Sequence, residues 1–216
     1  IEIIENEFGT NIDNIFSQFS EPIAAASIAQ VHFAKIKSSN TEIDVAVKVL
    51  RPEIEKIINQ EMERLEWLTT FMENFTEFQR LRPNSIIKKA KEVIKFELDL
   101  RYEAAAASEL SENTNMDESF YVPKVYWDKV TQKILTMEKI IGVPADKIDE
   151  LNEKKVNKKQ AAENLIINFL RQSIRDGYFH ADLHQGNLFL NPKGKLLAVD
   201  FGIMGRLDKK NRSYLA

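Results

Sequence analysis

Cysteine is absent from the 216-residue chain. That excludes disulfides, thiolate metal sites and a cysteine nucleophile, and it fits a reducing compartment. No apolar run approaches the roughly 18–20 residues a helix needs to cross a bilayer. The opening residues, IEIIENEFG, lack a basic stretch followed by an apolar one, so they do not read as a signal peptide. Positive charge is not in excess: 30 Lys and Arg stand against 33 Asp and Glu, a net charge of -3. No nucleic-acid partner is therefore expected. What is present is an ordinary globular composition, 44% hydrophobic and 29% charged, which argues against disorder. The length suits one large domain or two lobes sharing a cleft. With no initiator Met, and ending on NRSYLA in what reads as a starting helix, the chain is taken as a fragment.

Periodicity gives the order of elements. Residues 1–19 read as one or two small helices broken at Gly9. Residues 27–37 and 43–50 read as β-runs around the polar loop SSNTE, a hairpin signal. In the second run Val45, Val47 and Val49 fall on one face, with Ala46, Lys48 and Leu50 on the other. Pro52 suits a helical first turn, and residues 53–78 repeat apolar positions at helical spacing. A second long helix is expected from 83 to about 111, a polar loop at 113–119, and strands at 122–127 and 133–139. Ile141-Gly142-Val143-Pro144 breaks the pattern and is read as a lobe boundary between 1–140 and 141–216. Residues 157–176 form the best amphipathic helix, with Ala161, Leu165, Phe169 and Ser173 in one i+4 row and Ala162, Ile166, Leu170 and Ile174 in another. A loop at 179–187, the strand LFL, a turn NPKG and the strand LLAVD complete the order. The class expected is α+β with two lobes.

The chemistry is concentrated in FHADLHQGN at 179–187 and DFG at 200–202. Phosphoryl transfer needs a carboxylate near the acceptor hydroxyl, hard oxygen ligands for Mg²⁺ and a cation on the nucleotide phosphates. His180, Asp182 and, five residues on, Asn187 reproduce the spacing H-x-D-x-x-x-x-N of a kinase catalytic loop. Asp200, thirteen residues after Asn187 and across a hairpin, supplies a second metal ligand. A lone DFG or His-x-Asp is weak, and the bland reading is a buried histidine beside an aspartate; helix, loop, hairpin and DFG in this order are a strong pattern. Lys48, in VAVK, matches the strand lysine that binds α/β-phosphates. Its carboxylate partner is left open by spacing: Glu61 and Glu63 lie close in sequence, while ELDLRYE offers Glu97, Asp99 and Glu103. If that segment is one helix, Asp99 and Glu103 share a face.

Taken together these residues resemble the UbiB-type atypical kinases associated with ubiquinone biosynthesis. The resemblance runs from about Pro22 to Gly205 and rests on PIAAASIAQVH, VAVKVLRP, ELDLRYEA, LTMEKIIGVP, FHADLHQGN and VDFG. It implies a protein-kinase-like fold, truncated at both ends in this chain, that uses ATP or ADP with Mg²⁺. Ala24, Ala25, Ala26 and Ser27 stand where ordinary kinases carry a Gly-rich phosphate loop. Alanine adds a Cβ and favours helix, so a stiffer loop with altered nucleotide handling is expected. Glu97 and Asp99 match the family's acidic pair, and Glu103 the glutamate that pairs with Lys48. Ala106 departs from the family's usual Asn. Met137 falls at the gatekeeper position, so the backbone from Glu138 to Ile140 is expected to meet adenine. His184 replaces the lysine of Ser/Thr kinases, and a mostly neutral imidazole disfavours efficient transfer to protein.

The resemblance also implies a lipid or quinone-precursor ligand, an anionic membrane surface and quinone-biosynthesis enzymes as partners. The implied location is the cytoplasmic side of an inner membrane, peripheral or anchored through regions outside this chain. A K-x-G-Q helix before it and a helical C-terminal region after it belong to the family pattern. Two other classes compete: a small-molecule phosphotransferase of the aminoglycoside or choline type, which shares HxDxHxxN, and a nucleotide-gated scaffold without useful turnover.

Overall fold

The computed structural model describes residues 1–25, 28–38, 41–75 and 80–215. Two short helices, α1 (Glu2–Phe8) and α2 (Ile12–Ile15), open the chain. Gly9 takes φ 64° at the end of α1 and turns the chain into α2. Three strands follow, β1 (Gln18–Ala25), β2 (Ala29–Ser38) and β3 (Thr41–Leu50). They form an antiparallel sheet with β5 (Ile134–Glu138), in the order β1-β2-β3-β5. The period of two in β3 does what the sequence predicts. Val45, Val47 and Val49 are buried with Ile4, Ile15, Phe16 and Ile134 under α1 and α2. Each fully buried side chain of this kind contributes ~1.5–3 kcal/mol. Lys48 is thereby turned to the opposite face.

Between β3 and β5 stand α3 (Ile54–Met72), α4 (Pro83–Glu97) and α5 (Leu100–Asn113). The single helix expected from 83 to 111 is in fact two. Leu98 ends α4, and Asp99, in extended backbone at φ -128°, caps α5 by accepting the Arg101 N–H at 3.1 Å. Such a cap satisfies a donor that would otherwise be orphaned at the helix start, which is why Asp favours breaks over helix interiors. Leu100, Ala104, Ala107 and Leu110 of α5 then bury against the main core.

β4 (Phe120–Tyr121) pairs in parallel with β9 (Leu196–Ala198), and β6 (Val143–Pro144) pairs antiparallel with β8 (Leu188–Leu190). They build a second four-stranded sheet, β4-β9-β8-β6. The strand expected at 122–127 is replaced by an isolated Val125–Met137 bridge and a 3₁₀ turn at Trp127–Lys129. After α6 (Ile148–Glu153), α7 (Lys158–Leu170) passes into a π-helical turn at Arg171–Asp176. Gly177, at φ 70°, ends it and feeds β7 (Tyr178–His180), which pairs with β10 (Met204–Arg206). α8 (Lys209–Leu215) closes the described chain. No helix among the described residues is long and apolar enough to cross a membrane.

Of the two apolar rows of α7 only one packs: Ala161 and Ser173 are buried and Leu165 rests on the main core, whereas the row of Ala162, Ile166 and Leu170 faces outward. Ile166 is 62% exposed, and Phe169 and Leu170 are exposed too. Beside the packed row a second, polar row is buried: Asn164, Asn168 and Gln172. Its members are tied: Asn164 Nδ2 donates to the Gly194 carbonyl at 2.8 Å, and Asn168 Nδ2 to Ser119 Oγ at 2.9 Å. Buried polar groups are tolerated when they are hydrogen-bonded. This face therefore holds the β8–β9 turn and the loop before β4.

Candidate functional site

Lys48 reaches across from β3 to α5. Its Nζ donates to both Glu103 carboxylate oxygens at 2.8 Å and lies 3.4 Å from Asp200 Oδ2. Glu103, whose side chain is 6% exposed, also accepts the Phe201 backbone N–H at 3.2 Å. One carboxylate thus ties the strand lysine to the backbone of DFG. Burial alone would draw the Lys48 pKa down, but Glu103 and Asp200 outweigh it and raise it, so the ammonium is firmly charged. Burial pushes the Glu103 carboxyl up, with Asp200 adding repulsion and Lys48 opposing both. Asp200 itself takes φ 64°, an uncommon backbone for a non-glycine residue. Its Oδ1 accepts the Gly202 N–H at 3.2 Å, and its side chain is 42% exposed, available to a ligand.

The catalytic loop is held from inside. His180 ends β7, is buried, and its Nδ1 accepts the Asp182 N–H at 3.2 Å. Burial lowers its pKa, with the carbonyls of Asp200 and Val199 opposing, so it serves as a neutral brace. Its ring lies 5.6 Å from that of the fully buried Phe201. Asn187 Nδ2 donates to the Asp182 carbonyl at 3.1 Å and to Asp182 Oδ2 at 3.2 Å. The Asn187 carbonyl accepts the Val199 N–H at 2.9 Å, which joins the loop to the strand leading into DFG. His184 Nδ1 accepts the Gly186 N–H at 3.0 Å, which assigns the proton to Nε2, 3.6 Å from Asp182 Oδ2. A Cβ on Gly186 would meet the His184 ring at 2.8 Å and oblige that exposed ring to shift.

The remaining sequence candidates divide. Glu97 lies against DFG: a Cβ on Gly202 would meet its carboxylate oxygens at 3.5 and 3.6 Å. Asp99 does not join the Lys48 group. Its carboxylate caps α5 and pairs with Arg101 at 2.6 Å, and that hydrogen bond holds its pKa down. The shared helix face suggested for Asp99 and Glu103 is corrected by the break at 98–99. Glu61 and Glu63 are exposed on α3, and Glu61 pairs with Arg64, so neither partners Lys48. Ala24 and Ala25 are exposed at the end of β1, opposite Val31 and Gln30, in strand rather than helix; Ala26 and Ser27 lie outside the described residues. Met137 is buried opposite Ala46, and Glu138 pairs with Val45 at the end of β5. Ile140 is half-buried just beyond it.

Three supporting elements escape a motif search. Gln172, fully buried on the π-helical turn, accepts the His180 N–H through Oε1 at 3.2 Å. π-turns of this kind recur at functional sites. Its sequence signal is the polar i+4 row Asn164, Asn168, Gln172 set between apolar residues. Glu138 accepts a short hydrogen bond from the Tyr121 hydroxyl, and burial followed by that bond pushes the phenol up to about 12. Asp117, buried, is clasped by Arg175 at 2.8 Å and Arg171 at 3.1 Å, joining the loop before β4 to the end of α7. Nothing local in the sequence marks that pairing.

A mixed α+β scaffold with a Lys–Glu pair, a H-x-D-x-x-x-x-N loop and DFG is that of the kinase-like phosphotransferases. The ABC1 atypical kinase-like domain matches residues 1–216, and the chain belongs to that family. A curated relative described as probable protein kinase UbiB, from Pseudomonas paraeruginosa, is 38% identical over 222 residues, covering 100% of this chain. A relative of the same description from Pseudomonas entomophila shows 38% identity over the same length. The chain spans 41% of each. Among solved structures, the Rv3197–erythromycin complex of Mycobacterium tuberculosis superposes with a TM-score of 0.76 at 26% identity, over 95% of this chain and 51% of that one.

Proposed function

We propose that the chain is the nucleotide-handling part of an ATP- and Mg²⁺-dependent atypical kinase or ATPase of the UbiB type, supporting ubiquinone biosynthesis at a membrane. The observation that carries this reading is the charged Lys48, held by Glu103 at 2.8 Å with Asp200 at 3.4 Å. A lysine so placed and kept charged is suited to nucleotide phosphates. Asp182, braced by His180 and Asn187, faces the acceptor hydroxyl or a water. The backbone from Glu138 to Ile140 receives the adenine, at the junction of lobes 1–140 and 141–216.

The donor set fits Mg²⁺. Asn187 spends its amide N–H groups on Asp182, which leaves Oδ1 as a hard ligand, and Asp200 offers an exposed carboxylate. No cluster of three or more acidic, His or Cys side chains suited to a metal occurs among the described residues. Mg²⁺ needs only one or two protein oxygens when phosphates and water supply the rest. The bound ion would neutralise charge on the phosphates. His184, in the lysine's place, leaves that region less positive, which favours a small acceptor or slow hydrolysis over transfer to protein.

ATP turnover by the full-length protein, with and without quinone-precursor-like phenols and anionic vesicles, tests the reading; stimulation by both is expected. Transfer to an aminoglycoside or choline would replace it. Asp200→Asn should abolish Mg²⁺-dependent nucleotide binding, and unchanged affinity for ATP in Mg²⁺ would sink the metal assignment.

A further inference from the structure

The two ends of the proposed nucleotide site stand on different sheets. The hinge from Glu138 to Ile140 continues β5 of the first sheet, while Asn187 immediately precedes β8 and Asp200 shortly follows β9, both in the second. A nucleotide that reaches from one to the other needs their spacing held. A side-chain hydrogen bond joins the two sheets at that point. Tyr121 lies on β4, paired with Leu197 of β9. Alternation along the strand sends Phe120 into the core, where it is 2% exposed, and Tyr121 to the other side. There the Tyr121 hydroxyl donates its short hydrogen bond to Glu138 Oε2. The same oxygen accepts the Lys124 N–H at 3.3 Å, and the Glu138 N–H donates to the Lys124 carbonyl at 2.8 Å. Glu138 is thus bound to the chain around β4 through both its backbone and its side chain.

Its neighbour turns the other way. The Lys139 N–H donates to the Asp44 carbonyl at 3.2 Å, and Lys139 Nζ lies 4.1 Å from the centre of the Phe33 ring on β2, a cation–π contact. Successive hinge residues are therefore anchored toward different sheets. Tyr121 is held in turn from behind. Lys195, at the end of the β8–β9 turn, brings Nζ to 5.3 Å from its ring centre, and Asn164 pins the Gly194 carbonyl of that turn at 2.8 Å. Burial first, and then the bond to Glu138, push the phenol up to about 12, so the hydroxyl stays a donor at any working pH. A hydrogen bond to an ionised carboxylate is stronger than one between neutral groups.

We propose that Tyr121 is a positioning residue for the nucleotide. Through the Glu138 carboxylate it fixes the hinge backbone relative to Asn187 and Asp200, so that a base on the hinge and phosphates at Lys48 and the metal are engaged together. A hinge released from this tie has to be ordered on binding, and that ordering is subtracted from affinity. Tyr121 acts through Glu138 rather than by touching the nucleotide. The inference deepens the proposed function and rests on it in one respect, that the hinge receives the adenine.

Calorimetry on the full-length protein tests this with Tyr121→Phe, which removes only the hydroxyl. MgATP affinity should fall about tenfold. Tripolyphosphate with Mg²⁺, which has no base, should bind the variant and the parent alike. Glu138→Ala should lose as much MgATP affinity, and Glu138→Gln, whose carbonyl oxygen can still accept from the phenol, should lose less. Tyr121→Phe combined with Glu138→Ala should lose no more than either alone, as expected of two groups acting as one. Unchanged MgATP affinity in Tyr121→Phe overturns the proposal. So does an equal loss for tripolyphosphate, the mark of a general loss of fold, and so do losses that add in the double variant. A parent that binds no MgATP refutes the proposed function and this inference together, so parent and variant tell the two failures apart.

Discussion

Replacing Glu103 by Gln isolates the contact on which the site depends. The substitution keeps the shape of the side chain, and its carbonyl oxygen can still accept the Phe201 N–H now bound at 3.2 Å. What it removes is the charge facing Lys48 across two contacts of 2.8 Å. Breaking a buried ion pair costs ~3–5 kcal/mol when the survivor is left alone. Here the survivor is not alone: Asp200 stands 3.4 Å away and the Lys48 side chain keeps 13% exposure. The expected cost is therefore about 2–3 kcal/mol, below the full range. Freed Lys48 should also be drawn to Asp200, away from the phosphates, so MgATP affinity should fall at least about tenfold, the equivalent of 1.4 kcal/mol. Glu61→Gln is the control. Its pair with Arg64 is exposed, and pairs of that kind are worth ~0–1 kcal/mol. Urea unfolding midpoints and calorimetric titration with MgATP measure both variants. The reasoning is refuted if Glu103→Gln leaves stability and affinity intact, or if Glu61→Gln costs more.

Two further substitutions probe the supports. Gln172→Leu leaves the buried His180 N–H without its acceptor, at ~1–3 kcal/mol; ATP turnover should fall more than MgATP affinity, and Gln172→Glu, which keeps the acceptor oxygen, should restore part of it. A fall in affinity alone would contradict the positioning role. The Asp117 carboxyl is held below its ordinary range by hydrogen bonds from Arg175, with burial opposing and Arg171 assisting. Its folded pKa lies under its unfolded one, so its stabilisation is present above an ordinary carboxylate pKa and is lost as pH falls through the folded value. Asp117→Asn should be less stable than the parent at pH 7, by ~1–2 kcal/mol given the half-exposed arginines. The gap should narrow on acidification below about pH 4, and a gap constant from pH 7 to pH 3 would rule out the ionic origin.

What the sequence makes legible is what is local. Asp182 and Asn187 are five residues apart on one loop, and DFG follows a single hairpin, so spacing carries their geometry. The valine face of β3 is equally local, and it turns Lys48 to the correct side. The partner of Lys48 lies 55 positions away and is not set by spacing. Its choice depends on where α4 stops, and helical periodicity runs smoothly through Leu98 and Asp99. Only the resemblance to the UbiB type singles out Glu103, and only the capped break shows why Asp99 cannot share its face.

α7 fails in the other direction. One apolar row does pack, through Ala161 and Leu165, but an equally buried row follows hydrogen bonding: Asn164 and Asn168 hold a turn and a loop, and Gln172 holds the residue that braces Asp182. A periodicity argument assumes that the core-facing side of a helix is the apolar one. Where a helix must also fix loops that have few backbone partners of their own, a polar row packs beside the apolar one. The exception therefore falls beside the catalytic loop, where local rules most often yield to function. An unbroken row of amides at i+4 spacing before a H-x-D loop is then itself evidence for which face of the helix meets the site.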